Sequence, residues 1–159
     1  MKKNERLAIG HLTEELFTLY LRRGNIEYHK TDNNVDVNDK IDFVVHINDN
    51  ILTVDVKSKT ENDTGDIVNM AYITRDGKPG TLQLSKADYF AIQAYYNNQA
   101  RFYLIKKSIL FDYLKNKTRE CGEKKSQYYQ VEMSWISKNW SYFINEHGDV
   151  RKSYYKKFL

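Results

Sequence analysis

The chain has 159 residues, 41% of them hydrophobic and 14% aromatic with thirteen tyrosines, and carries a formal net charge of +4 with a pI of about 9.0. That is enough chain for one domain with a sizeable core, and the mild basic excess leans toward polyanions. A lone cysteine, Cys121, excludes an internal disulfide and a cysteine-based metal site, while the start MKKNER has no signal-peptide run and no stretch approaches a membrane span; together these predict a soluble protein of a reducing, cytoplasmic compartment, bacterial, archaeal or viral.

Residues 5–23 predict a helix that ends at Arg22-Arg23-Gly24. Ile9, Leu12, Leu16 and Leu19 form one apolar face at helical spacing, and Leu7, Gly10, Phe17 and Leu21 form a second. A helix apolar on two sides packs against more than one neighbour. Glu14 falls in the middle of the second apolar face. Its neighbour Glu15 falls on the polar strip with His11, Thr18 and Arg22 and reads as a surface charge.

A short extended segment, Ile26-Glu27-Tyr28-His29, then leads into the polar loop KTDNNVDVNDK. Residues 40–57 predict a hairpin whose arms, Ile41–Ile47 and Ile51–Lys57, are closed by Asn48-Asp49-Asn50. Alternation points Leu52, Val54 and Val56 one way and Thr53, Asp55 and Lys57 the other. Folding about Asp49 sets Asp42 opposite Asp55 or Val56, depending on the register. Two carboxylates and an ammonium held that close are costly as architecture alone.

Beyond the polar loop TENDTGD, Ile67–Thr74 and Thr81–Leu84 flank Asp76-Gly77-Lys78-Pro79-Gly80 and predict a second hairpin. Tyr89–Ile92 and Arg101–Ile105 read as further strands, connected through Tyr95–Gln99. Residues 108–116 predict a helix, 126–134 a strand and 135–145 a mixed helical segment, with Trp135 and Trp140 as core residues. The order of helix, several strands and helix predicts an α/β (α+β) chain, built around one mixed central β-sheet flanked by helices.

Asp42, Asp55 and Lys57 have the chemistry of a hydrolytic metal site. Mg²⁺ takes hard oxygen ligands, with one or two protein carboxylates beside phosphate oxygens, and Mn²⁺ is its usual substitute. The carbonyl of Val56 offers a third oxygen. Lys57, on the face of Asp55, is placed to favour a deprotonated water or to stabilise a phosphorane-like transition state. Lys59 follows with the same facing, as a phosphate contact or as a plain solvated lysine. Basic residues crowd two regions, Lys106, Lys107, Lys115, Lys117, Arg119, Lys124 and Lys125, then Arg151, Lys152, Lys156 and Lys157. Each is either a solvated face or a track for a phosphate backbone.

The pattern IDF followed by DVK, behind a helix carrying GHLTEELFTLYLRRG, resembles the PD-(D/E)XK nuclease superfamily, which includes archaeal Holliday junction resolvases. The resemblance covers about residues 5–60, with weaker agreement to residue 105. Ile41 stands where the superfamily's name has proline, a loosely kept position. The Gly10–Glu14 spacing matches the first-helix glutamate of many members. The resemblance implies Asp42 and Asp55 as metal ligands, Glu14 as a direct or outer ligand and Lys57 as the catalytic lysine. It implies a restriction endonuclease-like core over about 5–105 with an extension over about 106–159, within a single domain of 1–159. The activity implied is Mg²⁺-dependent endonucleolytic cleavage of DNA, branched or junction DNA included, by a homodimer. Rival expectations are a catalytically inactive nucleic-acid- or protein-binding module on the same core, a ribonuclease, or a hairpin whose Asp and Lys form a surface salt bridge of little worth. Gln93-Ala94-Tyr95-Tyr96 spells the Gln-x-x-Tyr of RecB-like nucleases, but at the end of a strand it reads as coincidence. The four histidines have no ligand spacing, and His46, on the face of Asp42, reads as a partly buried or a supporting residue.

Overall fold

The computed structural model describes residues 3–32, 39–58 and 65–159. Helix α1 (Lys3–Arg23) buries Thr13, Phe17, Tyr20 and Leu21. Phe17 meets the rings of Phe43 and Phe102 edge-on at 5.1 and 5.0 Å between centroids, a geometry that contributes about 0.5–1.5 kcal/mol per pair beyond area burial. The buried side is thus the second of the two predicted apolar faces, the one that carries Glu14. The first face is not a packed seam, since Leu12 is 65% and Leu19 40% exposed. A helix laid on one side of a sheet buries one stripe, and the stripe with the large rings removes more apolar area from water. The helix closes on Gly24, whose N–H donates to the Tyr20 carbonyl at 3.1 Å, and Asn25 takes a left-handed φ of 52°.

Two tight hairpins build most of the central sheet. β2 (Phe43–Ile47) and β3 (Asn50–Lys57) are joined through Asn48 and Asp49, with φ of 49° and 66°. β5 (Tyr89–Tyr96) and β6 (Gln99–Lys106) are joined in the same way through Asn97 and Asn98, with φ of 48° and 63°. Paired positive φ values match the right-handed twist of the strands, and asparagine and aspartate tolerate them. With β1 (Tyr28–Lys30), β9 (Tyr142–Asn145) and β10 (Val150–Lys152) the sheet has seven strands in the order β1-β2-β3-β5-β6-β9-β10. Only β3 and β5 run parallel, and the crossover between them contains β4 (Ile67–Ile73) and the short helix α2 (Thr81–Leu84). α3 (Lys107–Leu114), β7 (Glu120–Cys121), β8 (Gln127–Glu132), α4 (Met133–Ile136) and a closing 3-10 turn (Lys156–Phe158) complete the chain.

The architecture is mixed α/β, a large mixed sheet flanked by helices, and it is consistent with a restriction endonuclease-like core. Three expectations need correction. Thr81–Leu84 is helical, and β4 pairs instead with β8, because four residues hold too little pattern to separate a helix from a strand. There are two sheets among the described residues, since β4, β8 and β7 form a second one. Residues 142–145 are a strand paired with β6, where Tyr142 and Ile144 are buried and Phe143 and Asn145 alternate with them. Alternation also explains the layering. Val54, Val56, Ala91, Leu104 and Ile144 face α1, while Phe90, Ile92, Tyr103 and Ile105 face Met70, Leu110, Val131 and Ile136 of the second layer.

Candidate active site

The hairpin register pairs Phe43 with Val54, and the Asp42 N–H donates to the Val54 carbonyl at 2.9 Å. The two-residue turn therefore chooses between the alternatives left open by the sequence and sets Asp42 opposite Asp55. Asp42 Oδ2 accepts the Val56 N–H at 2.7 Å, so the carboxylate stands in for the strand partner that ends there. Its carbonyl accepts from the Thr31 N–H at 3.1 Å, which ties the pre-strand segment to the end of β1.

Asp55 is only 9% exposed. In register with Phe90, it lies on the face away from α1, against the second layer. The Thr81 hydroxyl donates to its Oδ2 at 3.1 Å. Burial pushes the carboxyl up to about 6, outweighing hydrogen bonds with Ser85, Thr81 and Asp42 and the charge of Lys40, all of which favour the ionised form. Ser85 Oγ lies 3.3 Å from the Lys40 carbonyl, and the Lys86 N–H donates to the Asp39 carbonyl at 2.8 Å. The segment after α2 is thereby stitched to the approach to Asp42. α2 can dock there because residue 80 is glycine: a Cβ on it would fall 2.6 Å from the Ala71 carbonyl oxygen.

Lys57 projects to the same face as Asp55 and donates to the Ser58 carbonyl at 2.7 Å. Glu14 stands on α1, 20% exposed, with Oε2 3.8 Å from His11 Nδ1. It is one turn beyond Gly10, where a Cβ would lie 3.4 Å from Ser58 Oγ, so α1 meets the end of β3 near the site but from the other face of the sheet. The structure brings Asp42 and Asp55 together as a pair. Among the described residues no three His, Cys, Asp or Glu side chains come together as a metal-binding group.

The lysines selected from sequence are dispersed. Lys107 Nζ donates to the Ser85 carbonyl at 2.8 Å, beside the loop that holds Asp55, and Lys106 Nζ to the Leu159 carbonyl at 2.8 Å. Lys124 and Lys125 lie exposed between β7 and β8, and Lys59 lies outside the described residues. His46 belongs elsewhere, 3.9 Å from Glu27 and opposite Ile51 near the hairpin turn. Lys40, Thr81 and Ser85 were missed by sequence reasoning. Lys40 had a signal in its closeness to Asp42; Thr81 and Ser85 had none, since only the crossover brings them in.

No family model and no curated protein matches the sequence. Among solved structures, D212, a nuclease from a fusselovirus, is similar with a TM-score of 0.39 and 16% identity over 82% of each chain. MepB is similar with a TM-score of 0.36 and 16% identity over 91% of this chain and 97% of its own. Likeness of this depth concerns the course of the chain, and the chemistry rests on the side chains described above. No helix among the described residues is long and apolar enough to cross a membrane.

Proposed function

We propose that the chain is a Mg²⁺-dependent endonuclease that cuts phosphodiester bonds in DNA, branched or junction DNA among its substrates, and works as a homodimer. The observation that carries this reading is the buried Asp55, hydrogen-bonded to Asp42 across the hairpin with Lys57 two residues further on the same face. The donor set fits a hard divalent cation. Two carboxylates set opposite each other repel when both are ionised, and a dication between them supplies the charge both oxygens need.

Asp42, Asp55 and the Val56 carbonyl would hold Mg²⁺ or Mn²⁺, while Glu14 stands beside His11 on the α1 side of the sheet and is not gathered with them. Bound there, the cation supplies Lewis-acid charge for the scissile phosphate. Thr81 and Ser85 orient the Asp55 carboxylate, and the Asp42 carboxylate is aimed by the Val56 N–H. The Lys57 ammonium stabilises charge that builds on the phosphate oxygens as the attacking water adds.

The test is incubation of supercoiled, linear and four-way-junction DNA, and of RNA, with the purified chain in Mg²⁺, Mn²⁺ or EDTA. Cutting that needs the metal and disappears in Lys57→Ala supports the reading. Retained binding with no cutting of any substrate overturns it in favour of a binding module, and cutting of RNA alone in favour of a ribonuclease.

A further inference from the structure

At the far edge of the central sheet, a groove of about 570 Å³ opens between β6, β9, β10 and the segment after β10. Its floor holds Arg101, whose guanidinium lies over the Phe143 ring at 4.5 Å, and Trp140, which packs edge-on against the same ring at 5.0 Å. Tyr154 and Tyr155 line it, 95% and 62% exposed, with ring planes 81° apart. Lys138, Arg151 and Lys152 are exposed around it. The one carboxylate in the lining, Asp149, is engaged by the Asn145 amide at 3.1 Å. Arg101 packs on Phe143, and Tyr155 on the buried Phe158, whereas the exposed Lys138, Arg151, Lys152 and the projecting Tyr154 ring have no role in the core and none in the carboxylate pair.

We propose that this groove binds single-stranded nucleic acid, with the Tyr154 ring as a stacking platform for a base and Arg151, Lys152 and Lys138 at the phosphates. A nearly fully exposed ring beside cations offers an unpaired base a π-face and its backbone a counter-charge, whichever base it is. A duplex keeps its base faces inside and has no use for the platform. A protein partner would desolvate Lys138 and Lys152, the residue type that interface cores exclude.

The groove also has a defined place relative to the carboxylates. Lys57, Ile92, Tyr103, Phe143 and Arg151 stand in one row across the sheet. Arg151 is therefore on the face of Asp55 and Lys57, four strand spacings or about 19 Å away along the sheet. The proposal goes beyond cleavage and holds whether or not the carboxylate pair cuts.

The test is fluorescence anisotropy of the full chain with labelled oligo(dT), oligo(U), a duplex and an abasic strand, each of about twelve nucleotides, in EDTA so that nothing is cut. Expected are binding of one or both single strands, weaker binding of the duplex and abasic strands, and a loss of about fivefold or more in Tyr154→Ala with retention in Tyr154→Phe. The two single-strand arms tell DNA from RNA. The logarithm of affinity should fall against the logarithm of salt with a slope of about −2 to −3, given about 0.7 per phosphate contact. Arg151→Ala/Lys152→Ala should flatten that slope, and Tyr154→Ala should leave it alone. Wild-type affinity in Tyr154→Ala, equal affinity for the abasic strand or duplex, or no binding of either single strand overturns the proposal. Because cleavage is not read, failure of the nuclease reading leaves this result untouched, and the reverse also holds.

Discussion

On β3, inside the central sheet, Asp55 is 9% exposed, and its partners come from the hairpin arm and from the crossover some thirty residues on, Lys40 and Asp42 from the first, Thr81 and Ser85 from the second. Beyond the β10 edge Tyr154 is 95% exposed, and its neighbours in the groove, Arg151, Lys152 and Tyr155, are close in the chain. The first region is a product of tertiary structure, and its charge is expensive unless a counter-ion or a proton meets it. The second keeps its charges in water and costs the fold little. Buried chemistry must be shielded and is coupled to stability. Exposed chemistry is coupled to salt.

The largest break in that contrast should come from the reaction. Lys57→Ala and Asp55→Asn are expected to lower the initial rate of plasmid nicking in Mg²⁺ by about a hundredfold or more, with oligonucleotide affinity unchanged. Binding that falls with them would tie the two regions together.

Next in size is a pH effect on the metal-free chain. Asp55 holds its proton up to about 6 when folded, against an ordinary 3.8, with Asp42, Lys40, Thr81 and Ser85 around it. A raised acid gives stability that is fully present below the unfolded value and is lost as the pH climbs through the folded one. Urea unfolding in EDTA should therefore show stability falling between about pH 4 and pH 6, by on the order of 2 kcal/mol, and Asp55→Asn should remove that slope. Saturating Mg²⁺ should restore stability above that range in wild type and do nothing for Asp55→Asn.

Thr81→Val removes one hydrogen bond to Asp55 and should cost about 1 kcal/mol, with weaker protection by Mg²⁺ in thermal melts. Smallest of all, Leu12→Ser on the exposed side of α1 should change stability by no more than about 0.5 kcal/mol, whereas Phe17→Ala on the buried side should cost about 3–5 kcal/mol.

Local signals were legible wherever they were long or chemically marked. The 21-residue helix, the hairpin closed by Asn48 and Asp49, and the helix after β6 read correctly from pattern, and residues 89–92 and 101–105 read as strands, though not as the tight hairpin they form. The sequence leaves Asp42 opposite either Asp55 or Val56, and the two-residue turn through Asn48 and Asp49 decides for Asp55. What stayed hidden were the choices made by partners. Leu12 and Phe17 belong to equally credible apolar faces, and only the sheet decides which is buried. Tyr142-Phe143-Ile144-Asn145 becomes a strand because β6 offers an edge. Thr81 reaches Asp55 through a crossover whose course no local pattern encodes.

Gly24 and Gly148 carry a further consequence. A Cβ on Gly24 would fall 2.2 Å from the Gly148 oxygen, and one on Gly148, already at φ +85°, would fall 2.1 Å from the Gly24 nitrogen. Bare main chain meets bare main chain there, clasping the end of the first helix to the bend between β9 and β10. Alanine at either position would wedge the clasp open. The clasp holds β9 and β10 over β6, and a chain in which it fails would expose β6 as an edge open to pairing with a neighbouring chain.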